Sequence, residues 1–155
     1  MTVYKQSYAS GTSDVPLIGS TIGAQFDAAA EKWADRDALI VCEQNICWSW
    51  SDLKQRVDDF AAGLMDLGLQ QGDRIGIWSP NNSEWTITQF AAAKAGLILV
   101  NINPAYRLAE LEYALNKVGC TALVSSVAFK TSDYLGMIRE LSPELESSPP
   151  GKLKA

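Results

Sequence analysis

From Gly72 to Val124 the sequence alternates short apolar runs with helix-period stretches, and this rhythm constrains the fold more than any other feature. Arg74-Ile75-Gly76-Ile77-Trp78 reads as a buried strand, and Ser83 to Ala95 as a helix with Trp85 and Phe90 facing inward. Leu97 to Ile102 is strand again. Pro104 then leads into a helix carrying Leu108, Leu111, Leu115 and Val118 that stops at Gly119, and Thr121 to Val124 is a third strand. Strand, helix, strand, helix, strand with short joints requires right-handed crossovers and a parallel sheet covered on its faces. The expected class is α/β, with one domain over residues 21–142.

Ahead of this unit, Thr21 reads as a helix N-cap, followed by Ile22, Phe26, Ala29, Ala30 and Trp33 at helical spacing, with Asp35, Arg36 and Asp37 closing the helix. Ala38 to Cys42 and Ile46 to Trp50 read as two strands joined by the polar Glu43-Gln44-Asn45, an antiparallel N-terminal β-hairpin. Ser51 is the expected cap of a second helix whose stripe is Leu53, Val57, Phe60, Ala61, Leu64 and Leu67, ending at Gly68. A last helix is expected around Asp133 to Leu141. Residues 1–20 lack periodicity and read as an extended arm; residues 143–155, with Ser147-Ser148-Pro149-Pro150-Gly151, read as a linker or tail.

Composition removes several function classes. Hydrophobic residues make up 47% and charged residues 20%, which places the chain among folded proteins. A net charge of −5 without a Lys/Arg-rich window lacks the footprint that neutralises phosphates, so no nucleic-acid partner is expected. No apolar run approaches the roughly 20 residues that span a bilayer, so no membrane span is expected. The chain has no histidine, which excludes His-ligated metals, Ser-His-Asp triads and Cys-His dyads. Cys42, Cys47 and Cys120 are an odd set without a secretory signal and are expected as reduced thiols, Cys42 and Cys47 serving as small apolar strand residues. The N-terminus shows neither a signal nor a transit pattern, and the expected location is cytoplasmic. Asn81-Asn82-Ser83 fits the glycosylation pattern but reads as a turn and helix start.

Three runs taken together resemble one enzyme family. They are Gly72-Asp73-Arg74-Ile75-Gly76-Ile77-Trp78-Ser79-Pro80-Asn81, then Ala92 to Gly96, then Val100-Asn101-Ile102-Asn103-Pro104-Ala105-Tyr106. Leu111-Glu112-Tyr113-Ala114-Leu115 with Val118-Gly119-Cys120 continues the likeness. In order and spacing these resemble the start of acyl-CoA synthetases of the adenylate-forming, AMP-binding superfamily, on the medium-chain branch, from about Pro16 to near Gly151. The resemblance implies a fatty acid or other carboxylate as substrate, with ATP, Mg²⁺ and coenzyme A as the full-length enzyme's cofactors. It also implies that the phosphate-cradling loop, the Mg²⁺ ligand and the mobile-domain lysine come later in the chain.

The expectation is therefore an N-terminal segment of a fatty-acid CoA ligase, cut before the ATP loop, inactive alone and binding none of these cofactors itself. A non-catalytic scaffold or interaction module sharing the fold is the alternative. A flavodoxin-like reading fails because no Gly-x-Gly-x-x-Gly or Gly-x-x-x-x-Gly-Lys loop occurs.

One stretch imitates the phosphate loop. Tyr8 to Leu17 resembles the family's Tyr-Thr-Ser-Gly-Thr-Thr-Gly-x-Pro-Lys, but Asp14 stands where the second Gly belongs and Leu17 where the Lys belongs. A carboxylate there repels phosphate, and the stretch reads as a decoy. No catalytic, cofactor-binding or metal residue is assigned. Glu84, Glu110 and Glu112 suit capping or solvated roles, and Trp48, Trp50, Trp78 and Trp85 suit core packing better than an acyl channel. Ligands of open α/β sheets sit outside the carboxyl ends of the strands, which nominates Asn81, Asn103, Pro104 and Tyr106 as substrate-adjacent. Uncovered apolar surface or sheet edge is expected to make the segment self-associate or melt easily.

Overall fold

The structure, a computed structural model, describes residues 11, 14, 15 and 17–153. Most of the expected arm, and with it most of the Tyr8 to Leu17 decoy loop, lies outside the described residues.

The helix α1 (Ile22–Lys32) starts at Thr21, whose hydroxyl accepts from the Ala24 N–H at 3.2 Å. Gly23, Phe26 and Ala30 are its buried positions. The expected stripe is therefore rotated, leaving Ile22 at 63% and Trp33 at 37% exposure, because Gly23 lies against the backbone and Cγ of Lys94 and needs the face turned toward it.

The hairpin forms as expected from β1 (Asp37–Val41) and β2 (Ile46–Ser49), antiparallel, with Ile40 opposite Cys47. A 3₁₀ turn at Cys42–Gln44 joins the strands, with Asn45 left-handed at φ 52°. A two-stranded hairpin has one covered face: Leu39 and Trp48 pack on the core, while Cys42 and Cys47 are exposed. Cys47 is thus a strand residue as expected, on the exposed face, whereas Cys42 lies in the turn.

The second helix, α2 (Trp50–Asp66), is capped by Ser49, not Ser51. Ser49 Oγ accepts from the Asp52 N–H at 3.1 Å, and the Asp52 carboxylate accepts from the Ser49 N–H at 3.1 Å, a reciprocal capping box. The Ser49 hydrogen bonds hold the Asp52 carboxyl below its ordinary range. Substituting Ser49→Ala should cost about 1 kcal/mol, read as a lower melting temperature, whereas Ser51→Ala should change it little. Leu53, Val57, Ala61 and Leu64 are buried, and Gly68 beyond the helix takes φ +96°, which favours glycine.

The α/β unit follows the expected order. Strands β3 (Arg74–Trp78), β4 (Ile98–Asn101) and β5 (Ala122–Ser125) form a parallel sheet in the order β4-β3-β5, with α3 (Ser83–Lys94) and α4 (Leu108–Val118) as crossovers. Because β4 and β5 lie on opposite sides of β3, right-handed crossovers send α3 and α4 to opposite faces. Two cores result. Phe26, Leu53, Val57, Leu64, Ile75 and Ala92 fill the face shared with α1, α2 and α3. Trp78, Ile102, Leu111, Tyr134 and Met137 fill the other.

Gly76 points into the second core, where an added Cβ would meet Ile102 Cδ1 at 3.0 Å and Leu123 Cδ1 at 3.1 Å. Gly119 ends α4 with φ +61°, as its position suggested.

After β5 the chain adds a small hairpin that sequence reading missed, β6 (Ala128–Phe129) with β7 (Ser132–Asp133), and then α5 (Tyr134–Leu141), capped by Asp133. Pro143–Glu146 wind into a 3₁₀ turn, and an exposed Arg139–Glu146 pair at 3.4 Å ties the start of the expected tail back to α5.

Candidate functional site

The strand order reverses around β3, and at such a point the loops leaving adjacent strands part to opposite faces and open a crevice. The loop after β3 heads into α3, capped by Asn82, whose side chain accepts from the Trp85 N–H at 2.8 Å. Ser83, expected as part of the helix start, is the first residue of α3 and is buried, donating its N–H to Gln44 Oε1 at 2.8 Å. The loop after β5 leads into the small hairpin.

Three polar side chains close the root of this crevice. Ser79 Oγ and Ser126 Oγ lie 2.6 Å apart, and Asn82 Nδ2 donates to Ser79 Oγ at 2.9 Å. Ser79 is 5% exposed and its hydroxyl also lies 2.9 Å from the Pro80 carbonyl, so the exits of β3 and β5 are stitched by satisfied hydrogen bonds.

Above this root is a cleft of about 420 Å³, bordered by Asn81, Trp85, Asn101, Asn103, Pro104 and Phe129 among others. Three of the four nominated residues, Asn81, Asn103 and Pro104, are therefore on its wall. The fourth, Tyr106, packs against the second core. The β4–α4 loop is braced from below: Trp78 Nε1 donates to the Asn103 carbonyl at 3.1 Å, and Tyr134 Oη donates to the Pro104 carbonyl at 2.5 Å. Trp78 and Tyr134 stack with centroids 3.7 Å apart, and burial pushes the Tyr134 hydroxyl above its ordinary pKa. Asn103 Oδ1 accepts from the Ala105 N–H at 2.9 Å, fixing the turn.

Sequence reasoning missed Ser126, Asn101 and Phe129, and it gave Trp85 to the core, whereas the ring borders the cleft. Ser126 and Phe129 were reachable in principle, since they follow the third strand. The two-residue strands beside Phe129 carry no periodic signal.

The wall is neutral: amides, one hydroxyl, prolines, an isoleucine and two aromatic rings, with neither a carboxylate for Mg²⁺ nor a cation for phosphate oxygens. Among the described residues no group of three or more Cys, Asp or Glu could hold a metal ion. These residues do not fit ATP phosphates or Mg²⁺. The carboxylates considered from sequence have other partners. Gln44 Nε2 donates to Glu84 at 2.9 Å and, with help from Ser83 and against partial burial, keeps its carboxyl below the usual range. Glu110 accepts from the Arg107 N–H at 3.1 Å at the start of α4.

The model of the family described as AMP-binding enzyme matches residues 26–150, a span that includes both cores and the cleft. The chain belongs to the AMP-binding enzyme family. Among curated AMP-binding relatives, it is 45% identical over 149 residues to the medium-chain acyl-CoA ligase ACSF2, mitochondrial, of Mus musculus, and 42% identical over 149 residues to that of Homo sapiens. Each match covers 96% of this chain and 24% of the relative, so the chain spans about a quarter of the length of these ligases.

Among solved AMP-binding folds, the N-terminal domain of FACL13 from Mycobacterium tuberculosis superposes with a TM-score of 0.74 at 21% identity, covering 87% of this chain and 33% of that domain. The N-terminal subdomain of NpsA from Klebsiella oxytoca, solved in complex with 3-hydroxybenzoyl-AMSN, gives 0.64 at 25% identity, covering 68% of this chain and 26% of that one. The fold is that of the N-terminal domain of adenylate-forming enzymes.

Proposed function

We propose that this chain is the N-terminal segment of an ATP-dependent acyl-CoA ligase, serving a medium-chain carboxylic acid, and that it contributes scaffold and part of a substrate wall rather than reacting groups. The observation that carries this is identity of 42 to 46% across 149 residues with medium-chain acyl-CoA ligases of seven vertebrates. The neutral switch-point cleft supports the second half of the reading: amides and rings can border a ligand, but nothing on the wall offsets the charge that develops in phosphoryl or acyl transfer. In the parent enzyme, ATP would supply the leaving pyrophosphate and coenzyme A the accepting thiol. Asn81, Asn103 and Pro104 are proposed to border the acyl-adenylate or its carboxylate precursor from one side.

A chimera tests the function. Mouse ACSF2 in which this chain replaces the matching 149 residues should fold and keep acyl-CoA formation from a medium-chain acid within about tenfold of the parent. A folded chimera with no ligase activity would overturn the proposal and favour a scaffold module of the same fold. For compartment, the cytoplasm stands as a proposal; the ACSF2 relatives are named mitochondrial, and recovery of the chain with mitochondria on fractionation would replace it.

A further inference from the structure

An α-helix leaves the N–H groups of its first turn without partners inside the helix, and α3 satisfies them from two directions. The Trp85 N–H goes to the helix's own cap, Asn82 Oδ1, at 2.8 Å. The Ser83 N–H goes instead to Gln44 Oε1 at 2.8 Å, a side chain 39 residues earlier, in the tip of the N-terminal hairpin. The other end of the same amide donates from Nε2 to Glu84 Oε2 at 2.9 Å, the oxygen that also accepts from Ser83 Oγ at 3.0 Å. These partners fix the amide's orientation: flipped, it would set its carbonyl against a carboxylate and its NH₂ against an N–H. Gln44 ends the 3₁₀ turn Cys42–Gln44, which the Asn45 N–H closes onto the Cys42 carbonyl at 3.1 Å, so the backbone that carries the amide is itself held. Ser83 is 1% exposed, and its N–H has no water to turn to when Gln44 is removed.

From this turn the next contacts lead into the cleft. Asn82 Nδ2 donates to Ser79 Oγ at its root, and Asn81 and Trp85, on either side of the first turn, border it. We propose that Gln44 is a positioning residue of the cleft: by holding Ser83 and Glu84 from the hairpin, it sets where Asn81 and Trp85 stand on the wall. Gln44 does not itself border the cleft and acts through α3. In the ligase reading, on which this consequence rests, a displaced Asn81 loosens the hold on the acid without disturbing a reacting group, so binding changes and turnover does not.

Nuclear magnetic resonance of the isotope-labelled chain reads the wall directly. Gln44→Ala should move the Trp85 indole and Asn82 side-chain amide resonances. Gln44→Glu supplies the rescue: protonated, its carbonyl accepts from Ser83 and its O–H donates to Glu84, whereas ionised it sets a second carboxylate beside Glu84. Its spectrum should match the parent's at about pH 4.5 and depart from it at about pH 8. Arg56 and Asp59 of α2 line the same groove as Glu84, and Glu43 adjoins Gln44 in the turn; the parent carries these charges too, so its own titration subtracts them. In the mouse ACSF2 chimera, Gln44→Ala should raise KM for a medium-chain acid about fivefold and leave kcat within about twofold. An unmodified chimera without activity would count against the ligase reading alone, and the spectra then decide this one. Circular dichroism checks folding, and should Gln44→Ala not fold, the Gln44→Glu series decides. Unmoved Trp85 and Asn82 resonances in Gln44→Ala, a Gln44→Glu difference from the parent that is the same at both pH values, or an active chimera whose KM is unchanged would each overturn the proposal.

Discussion

Replacing Trp78 by alanine should lower the stability of the chain by about 3 to 5 kcal/mol, a fall of about 10 °C in melting temperature for a domain of this size. Trp78 is fully buried at the carboxyl end of the central strand, so truncation empties a space that neighbours on a three-stranded sheet cannot collapse into. It also deprives Tyr134 of its stacking partner and the Asn103 carbonyl of its donor. Trp78→Phe separates these effects. A ring remains to stack and fill, and the lost indole N–H leaves an unpaired carbonyl, so the expected cost drops to about 1 to 2 kcal/mol. Denaturant melts of the two variants check both figures. Near-equal stability of Trp78→Ala and the parent chain would mean that the second core is not packed as described.

Replacing Lys94 by methionine should cost about 2 kcal/mol. Lys94 pairs with Asp27 of α1 at 2.5 Å and with Asp58 of α2 from its seat near the end of α3, so one half-buried cation ties three helices. Lys54 joins the same group through Asp58 and, at 3.5 Å, Asp27. Loss of a partner from a fully buried pair costs about 3 to 5 kcal/mol, and the lower figure here reflects carboxylates that reach water on one side.

The sign of the pH dependence follows from the shifts. Burial pushes the Asp58 carboxyl up, but hydrogen bonds from Lys54 and Lys94 outweigh it and hold it below its ordinary range. A depressed carboxyl contributes stability above its unfolded pKa and loses it as pH falls through the folded value. The Lys54 ammonium is raised, chiefly by its hydrogen bond to Asp58 and against desolvation, so its contribution is present below the ordinary lysine range and lost as pH climbs through the folded value. Stability should therefore decline below about pH 4 and above about pH 10. Lys94→Met should flatten the acid side. An unchanged acid limb in thermal melts of that variant would show that Lys94 does not hold Asp58 ionised.

The sequence made the strand–helix alternation legible because β3, β4 and β5 are near-continuous apolar runs and α2 and α4 carry long stripes ended by Gly68 and Gly119. It was less informative where a residue's role depends on a neighbour from another element. The Ser49 cap was hidden by the strand-like Trp48-Ser49-Trp50, although the Ser-x-x-Asp pattern was present. Gly23 faces inward because Lys94 crosses it, a contact no single-helix periodicity encodes. The cleft was legible as a rule about strand ends, which placed Asn81, Asn103 and Pro104 on one wall. Tyr106 broke ranks because the Asn103 turn directs the chain back onto the second core before the aromatic side chain is reached.

Scaffold without chemistry is the claim on which the rest depends, and pyrophosphate release tests it most directly. Purified chain with ATP, Mg²⁺ and a medium-chain acid should release no pyrophosphate above the protein-free blank, because no group on the cleft wall can hold the triphosphate or its metal. Sustained turnover by the isolated chain, abolished by substitution of Asn81 or Asn103, would contradict the account.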